Sequence, residues 1–190
     1  MSDSIESLYT RRARTHYAQN EYDKAIVDLR EAMRLAPVTP WVLCKLADCY
    51  FCKRDWDTAI GYYSDCLGTT PTHQYARRYR AHAYVQKGQP EKALADLDEL
   101  LRIAPADVES FLTLGQVHCS LGNHERAIEA FSQAVRLAPN DSNTLSMRGD
   151  AYTQMGQHDL AIKDHDRAIE LALLKSPPKP NKNGQGPEVN

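Results

Sequence analysis

A strict 34-residue period runs through this chain and constrains its fold more than any other feature. Two series of residues keep the period, first Pro37, Pro71, Pro105 and Pro139, and second Ala25, Ala59, Ala93, Ala127 and Ala161. Five copies of one unit therefore account for residues 6–175 without an insertion or a deletion. A fixed period of this length is typical of stacked helical repeats, which usually bind other molecules rather than catalyse reactions.

Each unit is predicted to form two helices joined by a tight turn. In the fourth copy, residues 108–141, apolar side chains recur at helical spacing before and after a break at Gly122. Pro139 follows the second helix and cannot continue it. The break position holds Asn20, Arg54, Gly88, Gly122 and Gly156 in the five copies. Glycine and asparagine tolerate a left-handed backbone there, so Arg54 is the poorest fit.

N-cap residues predict the same boundaries as the period. Thr39, Asp107 and Asp141 each stand where the next first helix begins, and a side-chain oxygen can accept a hydrogen bond from a free backbone N–H there.

The repeating positions resemble those of the tetratricopeptide repeat. Two copies match the eight pattern positions of that family best. The fourth copy fills them with Phe111, Leu114, Gly115, His118, Ala127, Phe131, Ala134 and Pro139. The second copy fills them with Leu43, Leu46, Ala47, Tyr50, Ala59, Tyr63, Cys66 and Pro71. The copies depart from it at Arg12, Arg80 and Arg148, which replace a leucine, and at Leu173, which replaces the fifth proline.

The resemblance implies an all-α fold, a right-handed α-solenoid of helix-turn-helix repeats. The expected division is an N-terminal lead (1–5), five repeats (6–39, 40–73, 74–107, 108–141 and 142–175) and a tail (176–190). The tail holds four of the ten prolines and no aromatic residue, so we expect it to be disordered.

Composition excludes several partners. A formal net charge of −2 gives no electrostatic reason to expect nucleic acid or an anionic membrane as partner. The first nine residues lack an apolar stretch and do not resemble a secretory signal. We therefore expect a cytoplasmic protein with reduced cysteines, while the nucleus and the cilium stay open.

In this family the first helices of the repeats line a concave groove that receives peptides or partner helices. In the first three copies the groove positions are basic and aromatic, namely Arg11, Arg14, Tyr17, Trp41, Lys45, Phe51, Tyr75, Arg78, Tyr79 and His82. Their equivalents in the last two copies are polar. The sequence thus predicts a ligand with acidic and apolar residues. The alternative is that the aromatic rings pack between repeats and the arginine stems cover apolar surface.

Two further functions are compatible with the family. Co-chaperones of the family grip the C-terminal carboxylate of heat-shock chaperones through a Lys, Asn, Asn, Lys and Arg set. This chain supplies only isolated positive charges, such as Arg14 and Lys45, at those positions. The other alternative is a structural subunit of a larger assembly that uses its convex face and its uncapped C-terminal end. The fifth repeat lacks a following helix, so its apolar residues cannot all face earlier repeats, and its end could mediate self-association or assembly.

No catalytic or metal-binding set is predicted. Cys44, Cys49 and Cys52 have the spacing of a ferredoxin cluster, with Cys66 as a conceivable fourth ligand. The first three lie on one predicted helix, however, whereas that cluster needs an irregular loop. The histidines form no zinc-binding pair, and no phosphate loop or nucleophile elbow occurs. Acidic residues of the second helices, Asp96, Asp98, Asp164 and Asp166, are predicted to be solvated. We therefore expect a non-enzymatic protein without a cofactor.

Overall fold

The computed structural model describes residues 4–175, and this part of the chain folds into ten α-helices. They are α1 (Ile5–Ala18), α2 (Tyr22–Leu35), α3 (Pro40–Cys52), α4 (Trp56–Thr69), α5 (Gln74–Gln86), α6 (Pro90–Ile103), α7 (Val108–Ser120), α8 (His124–Leu137), α9 (Ser142–Gln154) and α10 (His158–Lys175). The all-α prediction is confirmed. The predicted disordered tail, residues 176–190, lies outside the described residues. Within residues 4–175, no helix combines the length and the apolar character needed to cross a bilayer.

The chain divides into two compact units, Met1–Ala106 and Asp107–Asn190. In the first unit α3 supplies two opposite core clusters. Val42, Leu46 and Cys49 pack with residues of α1 and α2, whereas Leu43 and Cys44 pack with residues of α4 and α5. This helix is therefore buried on both sides, which explains why so few of its residues are polar.

In the second unit the helices of each hairpin approach closely at glycine. A Cβ atom added to Gly115 would lie 2.3 Å from the Phe131 ring, and one added to Gly149 would lie 2.7 Å from the His165 ring. These distances leave no room for a methyl group. The lack of a side chain at these two positions therefore lets the helices of each hairpin approach closely.

The helix ends follow the predicted chemistry. Thr39, Asp107 and Asp141 accept hydrogen bonds from backbone N–H groups of α3, α7 and α9 at 3.4, 2.9 and 3.0 Å. His73 also acts as an N-cap, since its Nδ1 accepts from Ala76 N at 3.2 Å, which the sequence did not indicate. At the turn position all five residues have positive φ, including Arg54 at 61°. A left-handed conformation is unfavourable for arginine, so this turn carries local strain.

The arginines that replace leucine have carboxylate partners on the second helix of the same hairpin. Arg12 binds Asp28 at 2.6 Å, and Arg148 binds Asp164 through two hydrogen bonds of 2.7 and 2.8 Å. The third hairpin repeats the arrangement, with two bonds of 2.8 and 2.6 Å between Arg80 and Asp96. In all three hairpins the aspartate follows the arginine by sixteen residues.

These pairs correct one prediction. Asp98 and Asp166 are exposed as expected, but Asp96 and Asp164 are buried, so the prediction of solvated carboxylates was wrong for them. The physical reason is that a carboxylate can be buried when a guanidinium donates two hydrogen bonds to it. Hydrogen bonding to the aspartate is also the main cause that raises the pKa of Arg80 and of Arg148.

Removing one partner of the Arg148–Asp164 pair should destabilise the fold. Arg148→Leu leaves the Asp164 carboxylate buried without its guanidinium, and we expect a loss of about 3 kcal/mol in the free energy of unfolding. The double variant Arg148→Leu/Asp164→Ala reproduces the Leu114 and Ala130 that occupy the same positions in the fourth repeat. It should recover most of that loss in urea denaturation. A double variant as unstable as the single one would contradict this account.

Candidate functional site

The ten predicted groove residues lie on three helices of the first unit. Arg11, Arg14 and Tyr17 are on α1; Trp41, Lys45 and Phe51 are on α3; Tyr75, Arg78, Tyr79 and His82 are on α5. Cation–π and ring contacts connect most of them from one helix to the next, beginning with the Arg14 guanidinium, which stacks 4.5 Å from the centre of the Trp41 ring. We call these ten residues the α1/α3/α5 cluster.

A small cleft opens within this cluster between α1 and α3. It has a volume of about 190 Å³ and is lined by Ala13, Arg14, Tyr17, Leu29, Trp41, Lys45 and Cys49. Small-molecule pockets usually exceed about 300 Å³, so this cleft has the size for one side chain of a ligand rather than for a whole small molecule. Its walls are largely apolar, and the exposed guanidinium of Arg14 stands at its side.

A buried carboxylate, Asp48, organises the centre of the cluster. It accepts hydrogen bonds from Lys45 Nζ at 2.6 Å, from the Tyr75 hydroxyl at 2.8 Å and from the Tyr63 hydroxyl at 2.8 Å. Burial, followed by the charge of Asp48, raises the pKa of both tyrosines, which keeps them protonated as donors. These four residues form what we call the Asp48 network.

The Asp48 network changes the interpretation of Lys45. From the sequence, its ammonium group was expected to meet acidic residues of a ligand, but in the structure that group already has an internal carboxylate partner. The ammonium also lies 5.3 Å from the Tyr17 ring and 5.5 Å from the Tyr75 ring. Lys45 therefore joins three helices, and its charge is largely neutralised before any ligand arrives.

The aromatic residues of α5 pack between helices. The Tyr75 and Tyr79 rings are 4.3 Å apart, and Tyr79 also contacts Phe51 and Tyr63, each at 6.3 Å. Tyr63 belongs to the core cluster shared by α3, α4 and α5, and the other three rings pack against that cluster. The alternative interpretation, in which aromatic rings pack between repeats, thus applies to Phe51, Tyr75 and Tyr79. Tyr17 and Trp41 also pack against a core cluster, the one formed by α1, α2 and α3, but in addition they line the cleft.

His82 lies next to Tyr79, with their ring centres 5.8 Å apart. Burial first, and the charge of Arg78 second, lower the pKa of His82. The imidazole is therefore neutral near neutral pH and does not add to the positive charge of the cluster. Arg11 is exposed one helical turn before Arg14, so α1 presents two guanidinium groups on one side.

The cysteines of α3 point to different surroundings. Cys44 belongs to the core cluster with α4 and α5, Cys49 to the one with α1 and α2, and Cys52 is exposed. Burial raises the pKa of the Cys49 thiol to about 12. The three sulfurs therefore do not converge on a ferredoxin cluster.

Cys44 instead meets the sulfur of Cys66 on α4 at 3.4 Å. A nitrogen of His73 completes a group of three donor atoms, which lie within 4.8 Å of one another. The sequence analysis considered Cys44 and Cys66 together only as ligands of an iron-sulfur cluster. It did not indicate His73, which is separated from both cysteines along the chain and precedes a different helix. Only the packing of α3, α4 and α5 brings them together.

Comparisons with known proteins agree with the observed helices. Family models described as "Tetratricopeptide repeat" match residues 10–73, 78–142 and 142–173. No curated protein matches the chain significantly in sequence.

Solved structures show the same fold. MamA 41-end from Desulfovibrio magneticus RS-1 is 21% identical, with a TM-score of 0.81 over 93% of this chain and 99% of that chain. The MamA RS-1 ArsTM double mutant is 20% identical, with the same TM-score and the same shares. TTC0263, a thermophilic TPR protein of Thermus thermophilus, is 25% identical, with a TM-score of 0.73 over 88% of this chain and 92% of that chain. At the identity of the MamA structures, the likeness extends to the fold alone.

Acidification should destabilise the chain partly through His82. Its pKa is lowered in the folded state, so the unfolded chain, with a histidine pKa of about 6.5, takes up a proton first as the pH falls. The stability linked to the neutral ring is therefore present above about pH 6.5 and is lost as the pH falls toward the folded-state pKa. His82→Gln should lose less Tm than the parent between about pH 7.5 and about pH 5. His158→Gln, an exposed control, should lose as much as the parent. Equal losses in both variants would contradict the assignment.

Proposed function

The chain belongs to the tetratricopeptide repeat family, and from that premise we propose that it is a non-enzymatic adaptor that binds a partner peptide or helix on its α1/α3/α5 cluster. Protein interaction is the usual work of this family, and the charge and the shape of the cluster specify the kind of ligand. The ligand carries at least one apolar side chain with an acidic residue close to it.

The observation that carries this proposal is the cleft beside Arg14. An apolar cleft for one side chain, bordered by a guanidinium that stacks on Trp41, suits an aromatic or aliphatic anchor followed by a carboxylate. Planar guanidinium groups bind carboxylates through two parallel hydrogen bonds, which fixes the orientation of the ligand as well as adding affinity.

The cluster divides into residues that meet the ligand and residues that support them. Arg11, Arg14 and Arg78 provide positive charge, and Tyr17 and Trp41 provide apolar contact. The remaining five residues, Lys45, Phe51, Tyr75, Tyr79 and His82, hold the three helices in place through the Asp48 network and the ring contacts. A supporting shell of this kind lowers the entropy cost of binding because the anchors are already ordered.

A second candidate function, a structural subunit, rests on α10. Ile162, Ile169 and Leu173 are 57%, 57% and 51% exposed. Their spacing of seven and four residues places them on one side of the helix, whereas Leu171 is buried. Such a stripe could pair with the same stripe of a second copy, which would make α10 the contact of a symmetric dimer.

Charge reversal tests the cluster. Peptides selected from a displayed random library against the full chain should carry an acidic residue near an aromatic or aliphatic one. The double variant Arg14→Glu/Arg78→Glu should bind these peptides at least about tenfold more weakly in fluorescence polarisation. Arg34→Glu/Arg102→Glu is the matched control, since it makes the same charge change on the second helices α2 and α6. Equal affinity of both double variants would contradict the proposal.

Sedimentation tests the α10 stripe. If the structural function holds, the parent chain should sediment as a dimer at micromolar concentration, and Ile162→Glu/Ile169→Glu should sediment as a monomer because each substitution places a charge in the contact. Val27→Glu, which changes an exposed apolar residue of α2, should leave the dimer intact. A parent chain that stays monomeric would eliminate this function while leaving the peptide-binding proposal untouched.

A further inference from the structure

The sulfurs of Cys44 and Cys66 and a ring nitrogen of His73 form a group of soft donor atoms outside the α1/α3/α5 cluster. The two sulfurs are 3.4 Å apart, and all three donors lie within 4.8 Å of one another. Cys44 is on α3, Cys66 is on α4, and His73 immediately precedes α5. We propose that these three residues bind one divalent cation of the zinc class.

The geometry needs little adjustment to hold such an ion. Tetrahedral zinc with Zn–S bonds of about 2.3 Å places its two sulfur ligands about 3.8 Å apart. The observed separation of 3.4 Å between the Cys44 and Cys66 sulfurs is shorter by only a few tenths of an ångström. A disulfide bond requires about 2.05 Å, so the spacing of the two sulfurs is much closer to that of a shared metal ion.

Charge balance favours a divalent ion. On binding, each thiol releases its proton to water, so the two thiolates carry two negative charges. A neutral imidazole adds none, and a divalent cation therefore gives a neutral complex. Both cysteines are buried, and a monovalent ion would leave a net negative charge there, which is costly away from water. Two sulfurs and one nitrogen are also the donor types that zinc prefers over magnesium or calcium.

The third ligand leaves the fourth coordination position within reach of water. His73 is partly exposed, whereas the two cysteines are not. A site with two cysteines, one histidine and a water molecule is a known zinc arrangement. In the structure, Nδ1 of His73 accepts the cap hydrogen bond from Ala76 N, so an ion that binds Nδ1 replaces that single bond.

The ion would connect the second repeat to the first helix of the third. Tyr75 follows His73 by two residues, and Cys44 is adjacent to Lys45, so the metal site and the Asp48 network adjoin along the chain. Metal binding would therefore stabilise the packing of α5 against α3 and α4, on which the ring contacts of Tyr75 and Tyr79 depend.

Titration of the reduced, metal-stripped full chain tests the proposal. We expect one equivalent of zinc(II) to bind in competition with a chromophoric chelator and to raise the Tm. Cobalt(II) in its place should give the near-ultraviolet absorption of sulfur-to-cobalt charge transfer. Cys44→Ala and Cys66→Ala should each abolish that absorption. Cys119→Ala, which changes a cysteine of α7 outside the metal site and the cleft, should retain the parent's zinc affinity and cobalt absorption.

His73→Asn separates metal binding from folding. Asparagine is a good N-cap, so this variant keeps an acceptor for the start of α5 while removing the imidazole ligand. It should fold normally and bind zinc at least about tenfold more weakly. The proposal is overturned if the reduced chain binds no zinc, if His73→Asn binds it as tightly as the parent, or if folded Cys44→Ala and Cys66→Ala retain the cobalt absorption.

Discussion

The structure depends on one kind of contact, which joins residues sixteen positions apart in the sequence. This contact brings the first helix of a hairpin against its second helix. At one helical position it sets Gly115 against Phe131 and Gly149 against His165, where not even a methyl group fits. One residue earlier it sets Arg148 against Asp164. Close backbone approach and a buried ion pair thus come from the same geometry, and the periodic alanines and glycines of the sequence permit it.

The helices could be predicted from the sequence because their signals are local and repeat five times. Turn residues, N-caps and apolar spacing each act within a few positions, so Asp141 or Gly122 can be interpreted without its neighbours in space. The burial of Asp164 could not be predicted in this way. An aspartate on a helix is usually solvated, and only the arginine on the facing helix makes its burial favourable. The sequence does contain a signal for this pair, an Arg and an Asp sixteen residues apart in three of the five copies. The family pattern does not interpret this signal, because it marks those arginines only as departures from its leucine position.

The candidate site shows the same division. Family resemblance placed the candidate residues on three helices, and contacts connect the aromatic and basic residues predicted on them. Which of these residues are available to a ligand depends on partners that the sequence does not reveal. Asp48 neutralises Lys45, and burial keeps His82 neutral, so neither residue adds positive charge for a ligand. Composition predicts which charged side chains a surface contains, whereas their partners in the folded chain determine how many of those charges are available to a ligand.

The ion pairs also alternate along the chain. The first, third and fifth hairpins have an arginine facing an aspartate, whereas the second has Leu46 and Tyr62 and the fourth has Leu114 and Ala130 at these positions. Arrays of similar repeats can misfold when a helix pairs with the counterpart of its neighbour. Here such an exchange would leave a carboxylate facing leucine and a guanidinium facing tyrosine or alanine. Adjacent hairpins are therefore not interchangeable. The alternating ion pairs favour pairing of each first helix with the second helix of its own hairpin over pairing with that of a neighbour.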